Sequence, residues 1–502
     1  MRSKETVPIV AGVAAALLHL AANPHYGFFR DELYFIACGR HPAVGYVDQP
    51  PFVPLLAALS QSAGPSLLFL RAMPALFSGA SMYVTCLLAL ELGGGAFAQG
   101  LAALAAFLSP VLMSFGMKVS TDMPGLLLWP LAALLVLRLV KGGHPRGWLG
   151  VGAVLGFAAE SKYSVLFFAS ALLVALLVTP QRRVLWNRWL LAGAGLAVLI
   201  ALPNVLWQAS RDFPMWELLR NAQHGKNVVL GPVEFLGAQF LIHNPVLAVV
   251  WVSGLVFLLR VPSTRFLGLG YLFLMAEMFV LHAKHYYPAN IYPVLFAAGG
   301  VALAQWTASL PSLRVALVGV LLFFGLLLVP YALPVLPLPA FLAYHGRLAP
   351  LLHLDAAKTE NQRMGPLPPD WADMQGWPEL AEAVAAVYRA LPEEERAKAV
   401  VLADNYGEAA ALDFFGGRLG LPPVISGHNQ YWLWGPRGYD GSVLIDVNAN
   451  VQDDARLCQR ATRGASFSSP LSMPYESHFD IVVCRGLELP VANFWVRQKS
   501  FR

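Results

Sequence analysis

Four short stretches of the chain hold the residue types that acid–base and phosphate chemistry require. Residues 28–52, FFRDELYFIACGRHPAVGYVDQPPF, place Arg30, Asp31, Glu32, Arg40 and Asp48 among Phe28, Phe29, Tyr34, Phe35 and Tyr46. Asp122 follows Lys118 in KVSTDMP, Lys162 stands in ESKY, and HAKHYYPANIYP carries His282, Lys284, His285, Tyr286, Tyr287 and Tyr292. A carboxylate beside a substrate hydroxyl can take its proton. A phosphate needs a cation, which Arg30, Lys118, Lys162 or Lys284 could supply, with tyrosine hydroxyls as further donors. Asp31 and Glu32 are adjacent, and the sequence leaves open which of the two faces a site. Asp122 would also serve as a helix cap, as would Ser120 or Thr121, with Pro124 in the first turn. His282 and His285 are close enough to share a metal, yet no carboxylate near them in sequence completes a ligand set. Neither a metal nor a cofactor is therefore expected.

These stretches lie between apolar runs. Of the 502 residues, 57% are hydrophobic and only 13% are charged, well below the charged share of a soluble domain, so the chain reads as a polytopic α-helical membrane protein. Windows long enough to span lie near 7–23, 67–90, 96–117, 122–140, 147–160, 163–179, 189–207, 233–259, 266–282, 287–304 and 314–335, about eleven in all. The first, after the basic MRSKE, reads as an uncleaved span rather than a signal peptide. The net charge is +5, but the basic residues are scattered through short loops, which argues against nucleic acid. RLVKGGHPR (138–146), QRRVLWNR (181–188) and RVPSTR (260–265) carry Lys and Arg without Asp or Glu, the mark of cytoplasmic loops.

The N-terminus is then cytoplasmic, and 24–66, 118–121, the turn around Lys162, 208–232 and 282–287 share the extracytoplasmic face. Within 208–232 an amphipathic interfacial helix is expected near 213–223, mixing Trp216 with Arg211, Arg220, His224 and Lys226. Pro334, Pro337 and Pro339 end the last apolar run. Residues 1–339 form the membrane domain, and 340–502, ordinary in polarity, a separate extracytoplasmic α/β domain. Within it WPELAEAVAAVYRAL reads as an amphipathic helix, and KAVVLAD, GSVLIDV and DIVVCRG as buried strands. Cys458 and Cys484 either pair, as an exported domain permits, or remain buried thiols.

RDELYF followed by GYVDQPPF, then STDMP, then the HYYPANIYP stretch resembles the GT-C glycosyltransferases of the protein O-mannosyltransferase and aminoarabinose transferase type, particularly bacterial members of glycosyltransferase family 39. NYGEAAALDFFG and GLPPVISGHNQYWLWGP look like the exported domain of many such bacterial proteins. The resemblance covers the whole chain. It implies a GT-C-type fold in the cell membrane and inverting transfer of a sugar from a polyprenyl-phosphate donor to an extracytoplasmic acceptor. Asp31 matches the presumed base, with Glu32 the adjacent candidate, and Asp122 matches the second acidic position. Lys284, Tyr286 and Tyr287 match the basic and aromatic stretch near the donor phosphate, and Lys162 is a weaker match. Arg30, Lys118 and His285 complete the expected substrate-binding set.

The chain lacks G-x-x-x-x-G-K-[ST], H-E-x-x-H and G-x-S-x-G motifs, so energy for a reaction must arrive in the substrate. Two other readings compete. A transporter or flippase for lipid-linked substrates would place ionisable groups inside its spans, where Glu277 and Arg71 are the candidates. A non-catalytic scaffold would use the C-terminal region as a binding surface.

Overall fold

The computed structural model describes the chain except for Met1, Ala63, Lys226, Asn227, Val229 and residues 353–362, and except for the side chains of residues 2–5, 223–225 and 352. Every apolar window is helical: α1 (Arg2–Ala22), α4 (Leu67–Glu91), α5 (Ala96–Phe107) with α6 (Pro110–Met117), α7 (Gly125–Val140), α8 (Gly147–Ala159), α9 (Val165–Leu177) and α10 (Arg188–Ala209). The series continues with α12 (Pro232–Ile242) and α13 (Ala248–Arg260), then α14 (Arg265–Val280), α15 (Tyr292–Trp306) and α16 (Pro311–Ala332). Among the described residues four helices are long and apolar enough to cross a membrane, or up to six if each of two bent pairs counts as one span. The bends, 71° between α5 and α6 and 95° between α12 and α13, fall where Pro110 opens α6 and where Pro245 opens the short 3₁₀ turn leading into α13, as a residue without an N–H does.

Local chemistry sets the helix starts. The Ser66 hydroxyl accepts from the Phe69 N–H at 3.2 Å, and the Asn187 side chain accepts from the Trp189 and Leu190 amides, each satisfying donors that the first turn would otherwise leave unpaired. Helices then approach through glycine. A Cβ on Gly152 would collide with the Gly193 backbone between α8 and α10, and one on Gly254 with the Leu295 backbone between α13 and α15. Close packing of small residues is what holds helices together where lipid removes the hydrophobic drive.

Short helices frame one end of this bundle: α2 (Arg30–Arg40), α3 (Phe52–Ser60) and α11 (Pro214–Gly225). The last covers the expected interfacial segment; Lys226 and the side chain of His224 lie outside the described residues. Beyond α17 (Leu338–Leu352) come α18 (Pro369–Ala372), α19 (Trp377–Ala390), α20 (Glu393–Arg396) and α21 (Tyr406–Gly416). They pack with a five-stranded sheet of β1 (Ala399–Ala403), β2 (Val424–Ile425), β3 (Val443–Ala449), β4 (Cys458–Ser468) and β5 (His478–Leu487), in the order β2-β1-β3-β5-β4. β1, β2 and β3 run parallel, and β5 is antiparallel to β3 and β4. The three strands read from sequence are β1, β3 and β5. β4 escapes because it is a polar edge strand, with Gln459, Arg460 and Arg463 exposed, and such charged edges blunt further pairing.

The core of this α/β unit does not stop at residue 340. Leu33, Tyr34, Ala37, Cys38 and Tyr46 from the first loop are buried with Leu380, Val401, Ala410, Val424, Ile445 and Ile481. Phe29, Met113 and Met117 share a second cluster with Phe341, Trp371 and Met374. Composition marks a boundary that packing crosses.

Cys458 and Cys484 are disulfide-bonded, joining β4 to β5 with Cα atoms 5.7 Å apart and a sequence separation of 26. Closing a loop of that length contributes about 2–4 kcal/mol, chiefly through the unfolded chain. Cys458→Ser is therefore expected to lower the thermal unfolding midpoint of the α/β unit under oxidising conditions, and reductant to lower that of the parent protein to the same value.

Candidate active site

α2 begins where Phe29, in an extended conformation, hands over to Arg30, Asp31 and Glu32, and acidic residues in a first turn suit the positive end of the helix dipole. One residue of helix rotation separates the fates of the two carboxylates. Glu32 is fully buried and points into the bundle, where it accepts from the Phe29 N–H at 2.8 Å and the Val119 N–H at 3.0 Å. Arg71, also at 0% exposure, closes the pair: its Nε and Nη2 reach Glu32, and its remaining donors reach the carbonyls of Asn23, His25 and Gly27. This saturated knot ties α1, α2, α4 and the 118–119 turn together.

Asp31 faces the other way. Its Oδ1 accepts from the Tyr406 hydroxyl at 2.8 Å, and among the described residues no ion pair reaches it. Arg30 beside it stacks over the Tyr406 ring at 4.6 Å, donates to the Tyr475 hydroxyl and lies 3.9 Å from Glu476. Asp48 accepts from the Tyr34 hydroxyl at 2.9 Å and from the Asn429 amide at 3.1 Å.

Burial pushes the Asp48 carboxyl up to about 6, with nearby Asp31 adding to the rise and the Tyr34 and Asn429 bonds opposing it. A carboxyl raised in this way binds its proton more tightly in the folded chain than in the unfolded one. Its stabilising contribution is therefore full below about pH 4 and is lost as pH rises through about 6. Asp48→Asn removes that loss, so its unfolding midpoint should gain on the parent's between about pH 4 and pH 6; a constant difference across that interval would contradict the assignment.

Asp122 is 6% exposed and does not cap α7; the Ser120 hydroxyl takes the Met123 amide instead. Its two oxygens accept from Lys162 Nζ at 2.8 and 2.7 Å, and its carbonyl accepts from Asn290 at 3.2 Å. Lys162 Nζ in turn lies 4.2 Å from the Tyr287 ring centroid and 5.2 Å from that of Tyr286. Lys284 belongs to the same turn, its carbonyl accepting from the Tyr287 N–H at 3.0 Å. His285 is buried, and burial together with Lys284 pulls its imidazole down to about 4, so it is neutral at pH 7. Lys118 is paired with Asp370, donates to Ser114 at 3.3 Å, and sits over the Phe29 ring at 4.6 Å.

Two clusters result. Asp122, Lys162, Tyr286 and Tyr287 touch directly, with Lys284 and His285 on the same turn; Arg30 and Asp31 are gathered with Tyr406, Tyr475 and Glu476 of the C-terminal unit. They are joined by the Glu32–Val119 bond and by the Phe52 N–H donating to the Glu160 carbonyl at 3.0 Å. Among the described residues no group of three or more His, Cys, Asp and Glu is arranged to hold a metal ion.

A family profile described as dolichyl-phosphate-mannose-protein mannosyltransferase matches residues 48–207. The crystal structure of ArnT from Cupriavidus metallidurans bound to undecaprenyl phosphate superposes with a TM-score of 0.59 and 16% identity, over 95% of this chain and 97% of that one. The chain shares the fold of that structure and is a polytopic helical membrane protein. The arabinofuranosyltransferase AftD from Mycobacteria superposes at a TM-score of 0.51 and 14% identity, over 95% of this chain and 40% of that one. The lipid A galacturonosyltransferase RgtD of Rhizobium johnstonii is 27% identical over 232 residues, which is 45% of this chain and 48% of that relative. The match thus spans about half the length of the curated relative.

One residue of the candidate site, Tyr406, comes from the C-terminal unit, where the sequence offers no catalytic candidate. Tyr406 lies in NYGEAAALDFFG, whose Asn405 caps α21 and brings the next residue to Asp31; an N-cap followed by a tyrosine was the available signal. Arg71 and Glu277, the ionisable residues expected inside spans, both lie near helix ends. Arg71 is in the second turn of α4, and Glu277 is near the end of α14, accepting from Ser170 at 3.0 Å.

Proposed function

We propose that the chain is an inverting glycosyltransferase of the cell membrane that moves a sugar from a polyprenyl-phosphate carrier to an acceptor hydroxyl on the extracytoplasmic side. In this reading Asp31 removes the hydroxyl proton and the oxygen attacks the anomeric carbon from the face opposite the carrier. The bond from that carbon to the phosphate oxygen breaks, and its electrons leave with the polyprenyl phosphate. A phosphate departs with little need of protonation, so no general acid is required. Lys162 and Lys284, with the hydroxyls of Tyr286 and Tyr287, meet the charge that develops on it, and Asp122 orients Lys162. Glu32 holds the loop in place through Arg71.

The observation that carries this reading is the unequal treatment of two carboxylates in turns that the sequence places on one face. Asp122 is paired with Lys162, whereas Asp31 is held by a neutral hydroxyl. The relatives support the same class of chemistry: one bears the name of a lipid A galacturonosyltransferase, and another was crystallised with undecaprenyl phosphate. The Cys458–Cys484 bond favours an oxidising, extracytoplasmic location for the C-terminal unit.

Purified protein in nanodiscs, incubated with polyprenyl-phosphate-linked mannose, arabinose-type sugar and uronic acid plus an envelope lipid extract, should release polyprenyl phosphate and glycosylate one acceptor fraction, read by mass spectrometry. Movement of intact donor across the bilayer without sugar release would favour transport. Lys162→Met removes a charge-assisted bond worth about 1.5–3 kcal/mol. It should weaken polyprenyl phosphate binding about 10- to 100-fold, measured by titration in nanodiscs.

A further inference from the structure

The tyrosine that reaches Asp31 comes from the far end of the sequence, and everything around it is built to hold it still. Its hydroxyl donates to Asp31 Oδ1 at 2.8 Å. Its ring packs 4.6 Å from that of Tyr34, and Arg30 covers it at 4.6 Å. Its backbone N–H donates to His428 Nδ1 at 3.3 Å, and the following Asn429 donates to Asp48. Gln430 continues the pattern: its N–H donates to the Tyr34 hydroxyl, and its side chain accepts from the Val47 N–H at 3.1 Å. The C-terminal unit thus fixes two of the three carboxylates of the first loop, through Tyr406 for Asp31 and through Asn429 for Asp48.

We propose that Tyr406 is a positioning residue for Asp31, so that the C-terminal α/β unit completes the active site rather than serving only as an accessory binding domain. This inference rests on Asp31 being the base. A hydroxyl that donates to one carboxylate oxygen fixes the rotamer and leaves the second oxygen to take the acceptor's proton. The charged and titratable groups facing Asp31 are Arg30 on its own helix, Asp48 from the following loop, Asp373 and Glu476 from the C-terminal unit, and Tyr406 itself. Of these, Tyr406 makes the hydrogen bond.

Tyr406→Phe keeps the ring that Arg30 and Tyr34 pack against and removes only the donor. With the polyprenyl-phosphate sugar that the donor panel selects, the full-length variant in nanodiscs should show kcat lowered about tenfold or more with donor KM unchanged. Its unfolding midpoint should match the parent's. In an Asp31→Asn background the added Tyr406→Phe should change the residual rate less than twofold, since residues that act through one bond are not additive. A parent-like kcat, or full additivity of the two substitutions, overturns the positioning role and leaves the base assignment standing. Undiminished transfer by Asp31→Asn alone overturns the base assignment, and this inference with it.

Discussion

Asp31→Asn is expected to lower turnover about 10²- to 10⁴-fold, the range that a positioned general base contributes, while donor binding and the unfolding midpoint stay near parental values. The reasons are geometric. The side chain lies at the N-terminus of α2, half-buried, and among the described residues its one hydrogen-bond partner is the neutral Tyr406 hydroxyl. An amide of the same shape can still accept that bond through its oxygen, so folding has little to lose. It cannot take a proton from an acceptor hydroxyl. Glu32, the other half of the D-E doublet, gives the control: it already has four donors around it, two of them from the Arg71 guanidinium, and cannot swing out to replace its neighbour. Retained activity in Asp31→Asn, measured as sugar transfer at saturating donor, would remove the base from this position.

Glu32→Gln and Arg71→Met should each destabilise the protein by about 3–5 kcal/mol, because removing one member of a buried pair strands the other charge without water. In Glu32→Gln an amide nitrogen must face Arg71 and either the Phe29 or the Val119 donor; in Arg71→Met the Glu32 carboxylate and the carbonyls of Asn23, His25 and Gly27 lose their partner. Replacing both at once with Leu and Met should cost clearly less than the sum, since no stranded charge remains. Unfolding in detergent micelles, followed by intrinsic tryptophan fluorescence, measures all three. Catalysis would fall with stability in these variants and recover at lower temperature, whereas the Asp31→Asn defect would not.

Much of this was legible in the sequence, and the limits have physical causes. The helical windows follow from apolar length, and the meeting of Asp122, Lys162, Tyr286 and Tyr287 follows from placing three turns on one face of a bundle. The doublet at 31 and 32 could not be resolved, because adjacent helical residues point about 100° apart and only the packing of α2 shows which one enters the bundle. Lys118 read as a phosphate ligand, but it is paired with Asp370, more than 250 positions away. The partnership of Tyr406 with Asp31 was likewise invisible, since composition separates the C-terminal unit from a first loop whose Tyr34 and Tyr46 are part of its core. β4 was missed because an edge strand needs no apolar face toward solvent.

The central claim is that the donor phosphate lies against Lys162 and Lys284 while its sugar faces Asp31. Cryo-electron microscopy of Asp31→Asn in nanodiscs, trapped with its polyprenyl-phosphate sugar, tests this directly. The predicted map shows the phosphate within about 3 Å of a lysine Nζ, the tyrosines of residues 286 and 287 alongside, and the anomeric carbon turned toward position 31. A sugar bound at the opposite end of the bundle, or on a face of the α/β unit remote from α2, would contradict it.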